Sequence, residues 1–196
     1  MRTRDIDKEK LVKQKAIEII VKYGFEGFSM NKLAKECHIS VATLYIYYKD
    51  RDDLIVKIAE EEGLKMATTM LDNFDPEANF VDGLRMQWKN RYRHMMDNKY
   101  ISVFFDQLRS SSYHEQFMST FKVNFEPAVT RFMHNALERG EINEMPFEAY
   151  WSVAFAPLYS LIRFHNEGQS VGGKPFAMSD DILWATFDLV VKALKK

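Results

Sequence analysis

The chain has 196 residues, 46% hydrophobic and 28% charged, with a formal net charge of −1. That is long enough for one large domain or a small one beside a medium one, and too apolar for a disordered chain. Its single cysteine, Cys37, excludes an intrachain disulfide and argues against a Cys-based zinc site. No secretory leader is expected, because the first ten residues are charged and no apolar stretch follows them at the right place. The longest uncharged apolar run, 149–162, is too short to cross a bilayer and contains Pro157. A cytoplasmic location without a membrane partner is the expectation. Charge is unevenly spread: residues 1–57 hold 12 Lys/Arg against 9 Asp/Glu, and the remainder 15 against 19. The sign of that asymmetry suits a nucleic-acid-reading N-terminus.

Most of the chain shows helical rather than strand spacing. Leu11, Ile17, Ile20 and Val21 form one stripe, stopped at Gly24. Ser29 reads as an N-cap, with Phe28 and Leu33 placed as a hydrophobic staple, and the short helix it starts ends near Cys37. Ser40 reads as the next N-cap, stapled by Ile39 and Leu44. Asp50 caps a fourth helix whose first turn carries Asp52 and Asp53, favourable against the helix dipole, and which is expected to run to about Phe74. Asp75-Pro76 restarts the chain, with proline at the favoured first helical position. Later helices are expected near 76–97, 99–109, 112–139, 146–167 and 179–195, with Pro127 and Pro157 kinking or splitting two of them. Residues 166–177, with three glycines and Pro175, form the clearest loop. The expected fold is all-α with about nine helices. A three-helix helix-turn-helix domain (1–50) precedes a larger C-terminal helical bundle (51–196), and the helix near 50–74 connects them.

The segment from Ser29 to Leu54 has the outline of a helix-turn-helix. Leu33, Ala34, Ile39 and Leu44 supply apolar faces that lock two helices across a tight turn, and Ala34 is small where they approach. Val41, Ala42 and Thr43, just after the Ser40 cap, open the second helix, whose N-terminal residues point at base edges in motifs of this class. Tyr45, Tyr47 and Lys49 place hydroxyls and a charge along a phosphate path, which fixes register while base-edge contacts give sequence preference. Leu44 and Tyr48 read as core, and Cys37 as a small buried hydrophobe rather than a redox sensor.

The run Ile39-Ser-Val-Ala-Thr-Leu-Tyr-Ile-Tyr-Tyr-Lys-Asp-Arg-Asp-Asp-Leu54 resembles the TetR-family signature, and the resemblance extends over about residues 8–60. Beyond residue 60 it rests only on length and helical pattern. The family commonly has glycine where this chain has His38, which implies a left-handed backbone there. Arg51 stands for the usual lysine at the start of helix 4 and keeps a charge for a phosphate, and Tyr48 stands for the usual phenylalanine. The resemblance implies a DNA operator as partner, with Ser29, Ser40, Val41, Ala42, Thr43, Tyr45, Tyr47, Lys49 and Arg51 at the DNA. It further implies an effector pocket in the second domain, a homodimer through the helices near 146–167 and 179–195, and, as the family's usual habit, repression relieved by ligand.

The C-terminal part is rich in large soft side chains, most of which a helical bundle needs for its core. Trp88, Tyr92, Phe105, Phe121 and Tyr159 are the candidates for lining a mainly apolar pocket, taking a small apolar or aromatic effector. Arg91 and Arg109 leave an acidic effector open. The last two helices are apolar on more than one face, as a helix with two partners is.

An enzyme is disfavoured. None of the five histidines lies in Glu-x-x-His, and His114-Glu115-Gln116-Phe117-Met118 misses a zincin motif by its last residue. Gly172-Gly173-Lys174-Pro175 lacks the spacing and hydroxyl of a P-loop. No cofactor and no metal site are expected. The rival is a helical interaction module or small-molecule-binding protein without DNA binding, against which only the recognition-helix pattern speaks.

Overall fold

The computed structural model describes residues 6–196, and among them the chain forms nine α-helices. In order they are α1 (Ile6–Tyr23), α2 (Met30–Glu36), α3 (Val41–Tyr47), α4 (Arg51–Met70), α5 (Phe80–Asp97), α6 (Lys99–Arg109), α7 (His114–Glu138), α8 (Phe147–Glu167) and α9 (Asp180–Leu194). None is long and apolar enough to cross a membrane. The all-α expectation holds.

The helices gather into two compact units. Among the described residues, one comprises 6–65 together with Asn98–Phe121; the other comprises Met66–Asp97 and Lys122–Lys196. The division falls inside α4, between α5 and α6, and inside α7. The reason lies in what the three N-terminal helices pack on. Phe25 rests against Phe104 and Tyr113, with ring centroids 6.3 and 5.3 Å away. The Gln107 side chain donates to the Val21 carbonyl at 3.1 Å. The N-terminal helices thus complete their core with α6 and the start of α7.

In the second unit the core is built by Phe80, Leu84, Trp88, Phe132, Tyr150, Phe155, Leu158, Leu183 and Phe187, all buried. Phe80 stacks on Phe132, and Phe187 meets the edge of Trp88. Gly83 lets α5 approach the Phe132 ring: a Cβ at that position would sit 2.2 Å from a ring carbon.

Two helix ends differ from expectation. α4 stops at Met70 rather than near Phe74. There the buried Asn90 side chain donates to the carbonyls of Met70 (3.2 Å) and Asp72 (2.7 Å), satisfying acceptors that a helix C-terminus leaves open. Asn73 then turns the chain with a φ of 53°. Asp75-Pro76 starts only a single turn, closed by the Ala78 amide on the Asp75 carbonyl. α5 begins at Phe80, where the Asn79 side chain accepts from the Asp82 amide at 3.0 Å. Pro127 and Pro157 split neither α7 nor α8. Each proline removes one backbone donor, but buried neighbours on both sides, Phe125 with Val129 and Phe155 with Leu158, hold the helix through it. The loop after α8 is as expected, with left-handed Gly168 and Gly173 and a bridge between Gln169 and Pro175.

Candidate nucleic-acid interface

The site begins with two caps. The exposed Ser29 hydroxyl accepts from the Lys32 amide at 3.2 Å and starts α2. Ser40 accepts from the Thr43 amide at 3.1 Å and starts α3. Between them the chain turns in three hydrogen bonds: Cys37 N–H to Leu33, His38 N–H to Lys35 and Ile39 N–H to Ala34. The last two bonds make a Schellman turn, which needs a left-handed residue just past the cap. That residue is His38, with φ 53°, as its place in the signature implied. Leu33 and Leu44 are fully buried at the contact of the two helices, with Ala34 between. Cys37 is buried too, and burial pushes its thiol pKa up, away from the reactive range.

α3 has one buried line, Leu44 and Tyr48, four residues apart. The opposite face therefore carries Ala42, Tyr45, Ile46 and Lys49, all exposed, with Tyr45 at 53% and Ile46 at 67%. Val41, Thr43 and Tyr47 lie half-buried at its flanks, and the Thr43 hydroxyl is 2.8 Å from that of Ser40. The end of α3 is gripped by the first turn of α4. Asp50 caps α4 by accepting from the Asp53 amide at 2.8 Å, and the Asp53 carboxylate accepts from the Lys49 amide at 2.9 Å. Lys57 completes the clasp on Asp53 at 2.9 Å. That hydrogen bond, with the Lys49 amide, holds the Asp53 carboxyl below its ordinary range.

Arg51, expected at a phosphate, has partners within the fold. Its guanidinium donates to the Phe25 carbonyl (2.6 Å) and the Tyr113 hydroxyl (3.1 Å), and Tyr113 in turn donates to Asp52. Those donors are spent tying α4 to the end of α1 and the start of α7.

Residues 14–58 match the family model described as bacterial regulatory proteins, tetR family. A protein named as an uncharacterized HTH-type transcriptional regulator from Haemophilus influenzae is 30% identical over 80 residues, covering 41% of this chain and 43% of that protein. The chain matches less than half the length of its curated relatives. The fold extends the likeness over the whole chain. A TetR family transcription regulator from Marinobacter aquaeolei superposes with a TM-score of 0.84 at 22% identity, covering all of both chains. A putative TetR-family regulator from Vibrio parahaemolyticus gives 0.75 at 21%, covering 97% of this chain and 99% of that one.

Over residues 14–58 the chain is similar to the tetR family of bacterial regulatory proteins, and over its whole length it shares the fold of solved TetR-family regulators.

The five pocket candidates fall into separate groups. Phe105 and Phe121 sit in the first unit, in an aromatic row in which Phe117 is 4.9 Å from Phe105 and 6.0 Å from Phe121. Trp88, Tyr92 and Tyr159 sit in the second. Trp88 is fully buried and its indole N–H donates to the Ala154 carbonyl at 2.7 Å, so its polar end is spent within the core. Tyr92 and Tyr159 are half-buried, and the Tyr159 hydroxyl accepts from Arg91 at 3.1 Å. Sequence reasoning missed Ile46, although the spacing of Leu44 and Tyr48 already puts it on the open face of α3. It also missed Gln87 and Tyr150, buried polar groups beside Arg91, because nothing in local spacing distinguishes them from surface or core neighbours.

Proposed function

We propose that this chain is a ligand-responsive DNA-binding repressor that acts as a homodimer on a palindromic operator. The observation that carries the reading is the open face of α3. Tyr45, Ile46 and Lys49 are exposed together on a short helix whose other face is locked into the first unit, as a helix entering a major groove requires. In a dimer two copies of Val41 to Lys49 would meet successive major grooves about 34–36 Å apart. Ala42 and Thr43 would lie at base edges. Ser29, Ser40, Tyr45, Tyr47 and Lys49 would lie at phosphates and sugars. The dimer is built through α8 and α9, on which Phe147, Val153, Ile182 and Leu189 stay exposed, Leu189 at 67%. A stable interface there would bury about 1,200 Å² or more in total. The effector, a small and mainly apolar molecule, binds in the second unit. α4 contributes residues to both units and so links effector to operator, with a coupling of about 1–3 kcal/mol.

The test is affinity for a duplex from the gene's own upstream region and for a scrambled duplex, across a salt series. Lys49→Ala should weaken binding to both duplexes alike and flatten the salt dependence. Thr43→Ala should narrow the gap between operator and scrambled DNA, by about 1–3 kcal/mol. Unchanged binding in both variants moves the interface off α3. Absence of salt-sensitive binding by the wild type rejects the regulator reading in favour of a helical interaction module. Sedimentation as a monomer at micromolar concentration removes the dimer.

A further inference from the structure

The core of the second unit holds a cation whose partners are all neutral. Arg91 on α5 is fully buried. Its guanidinium lies 3.9 Å from the centroid of Phe155, 5.1 Å from Phe125 and 5.5 Å from Trp151. Nε donates to the Tyr159 hydroxyl at 3.1 Å, and Nη1 to the backbone and side-chain oxygens of Gln87, each at 3.3 Å. Nη2 has no acceptor. Two further fully buried groups nearby lack partners: the Tyr150 hydroxyl, which lies within the field of the Arg91 charge, and the Gln87 side-chain nitrogen. Among the described residues no Asp or Glu pairs with Arg91.

Arginine cannot shed its proton, so burial cannot neutralise it as it would a lysine. A buried cation without a counter-charge is costly, and unmade buried hydrogen bonds add to the cost. Aromatic faces offset part of it. What Nη2, the Tyr150 hydroxyl and the Gln87 amide jointly lack is an acceptor carrying negative charge. One guanidinium balances one negative charge, which favours a monoanion over a phosphate ester or a diacid. Its planar fork matches the two oxygens of a carboxylate, and the rings of Phe125, Trp151 and Phe155 suit an apolar body beside it.

We propose that Arg91 is the anchor for the carboxylate of a monocarboxylic effector with an apolar body, with Tyr150 and Gln87 supplying further contacts to the carboxylate. The proposal rests on the effector reading above and specifies the chemistry of that effector.

The test is calorimetric titration of the full-length protein with straight-chain alkanoates of four to twelve carbons and with phenylalkanoates. Each acid is compared with its own primary amide, a neutral analogue of similar shape. At least one acid should bind wild type about tenfold or more tightly than its amide. Arg91→Met should remove that preference, so that acid and amide bind the variant alike. Tyr150→Phe deletes a hydroxyl without a partner, so it should fold normally and weaken acid binding by about tenfold. A panel without any acid preference overturns the proposal, as does equal acid binding by Arg91→Met. If that variant does not fold, unchanged acid affinity in Tyr150→Phe overturns it. Amides that bind and release the operator while acids do not would keep the effector reading and sink the carboxylate. Acids that bind through Arg91 without changing operator affinity would keep the site and sink its regulatory role.

Discussion

The caps of α2, α3 and α4 and the polar core around α5 are held by bonds of very different reach. Ser29, Ser40 and Asp50 each accept from an amide three residues ahead, and Asp53 from one four residues behind. In the second unit Asn90 reaches back 20 and 18 residues to the end of α4, Trp88 reaches 66 residues to Ala154, and Arg91 reaches 68 to Tyr159. A cap three residues long forms with its helix and is worth about 1 kcal/mol. A buried bond across 66 residues exists only after the core has assembled, and losing one side leaves the other orphaned in a dry interior. The first region is therefore a set of small, separable contributions, while the second is a set of large, interdependent ones.

Substitutions can sharpen or break that contrast. Trp88→Ala should cost the most, about 3–5 kcal/mol in urea unfolding, because a fully buried indole and its bond to Ala154 are lost together. A loss below about 1 kcal/mol would mean that the site collapses freely and the core is not interdependent. Gly83→Ala should follow at about 1–3 kcal/mol, from overpacking against Phe132. A neutral result would show that the Phe132 ring can move aside.

The first unit also has long-range contacts, among them the cluster of Arg51, Asp52 and Tyr113. Burial, aided by the hydrogen bond to Asp52, pushes the Tyr113 phenol up to about 12. The protonated phenol thus favours the fold. Its contribution is complete below about pH 10, the ordinary tyrosine value, and is lost as the pH rises toward 12. Unfolding followed at pH 9 and pH 11.5 should show an alkaline loss that Tyr113→Phe reduces; an equal slope in the variant would assign it to other groups. The smallest effect is expected at the turn. His38→Gly should stabilise by about 0.5–1 kcal/mol, since glycine adopts a φ of 53° without the side-chain cost. A destabilised variant would mean that the histidine side chain contributes more than its backbone strain removes.

The same difference in reach explains what was legible beforehand. The Ser29, Ser40 and Asp50 caps and the buried pair Leu44 and Tyr48 follow from neighbours within a few positions, and each is where the spacing put it, while the left-handed His38 is what the family resemblance implied. The Arg51 charge was legible but its direction was not. Tyr113, 62 residues away, and the Phe25 carbonyl draw the guanidinium inward.

By itself the sequence determined the number, order and class of the helices and the cap-turn-cap geometry that opens one face of α3. Those features depend on backbone donors and acceptors satisfied within one or two turns of chain. Only the tertiary structure decided that α4 stops at Met70, that α6 and the start of α7 join the N-terminal helices, and that Arg91 lies buried among aromatic rings. Each of these outcomes depends on which distant residues share a dry interior. There the cost of an unpaired polar group, rather than the local preference of the chain, selects the arrangement.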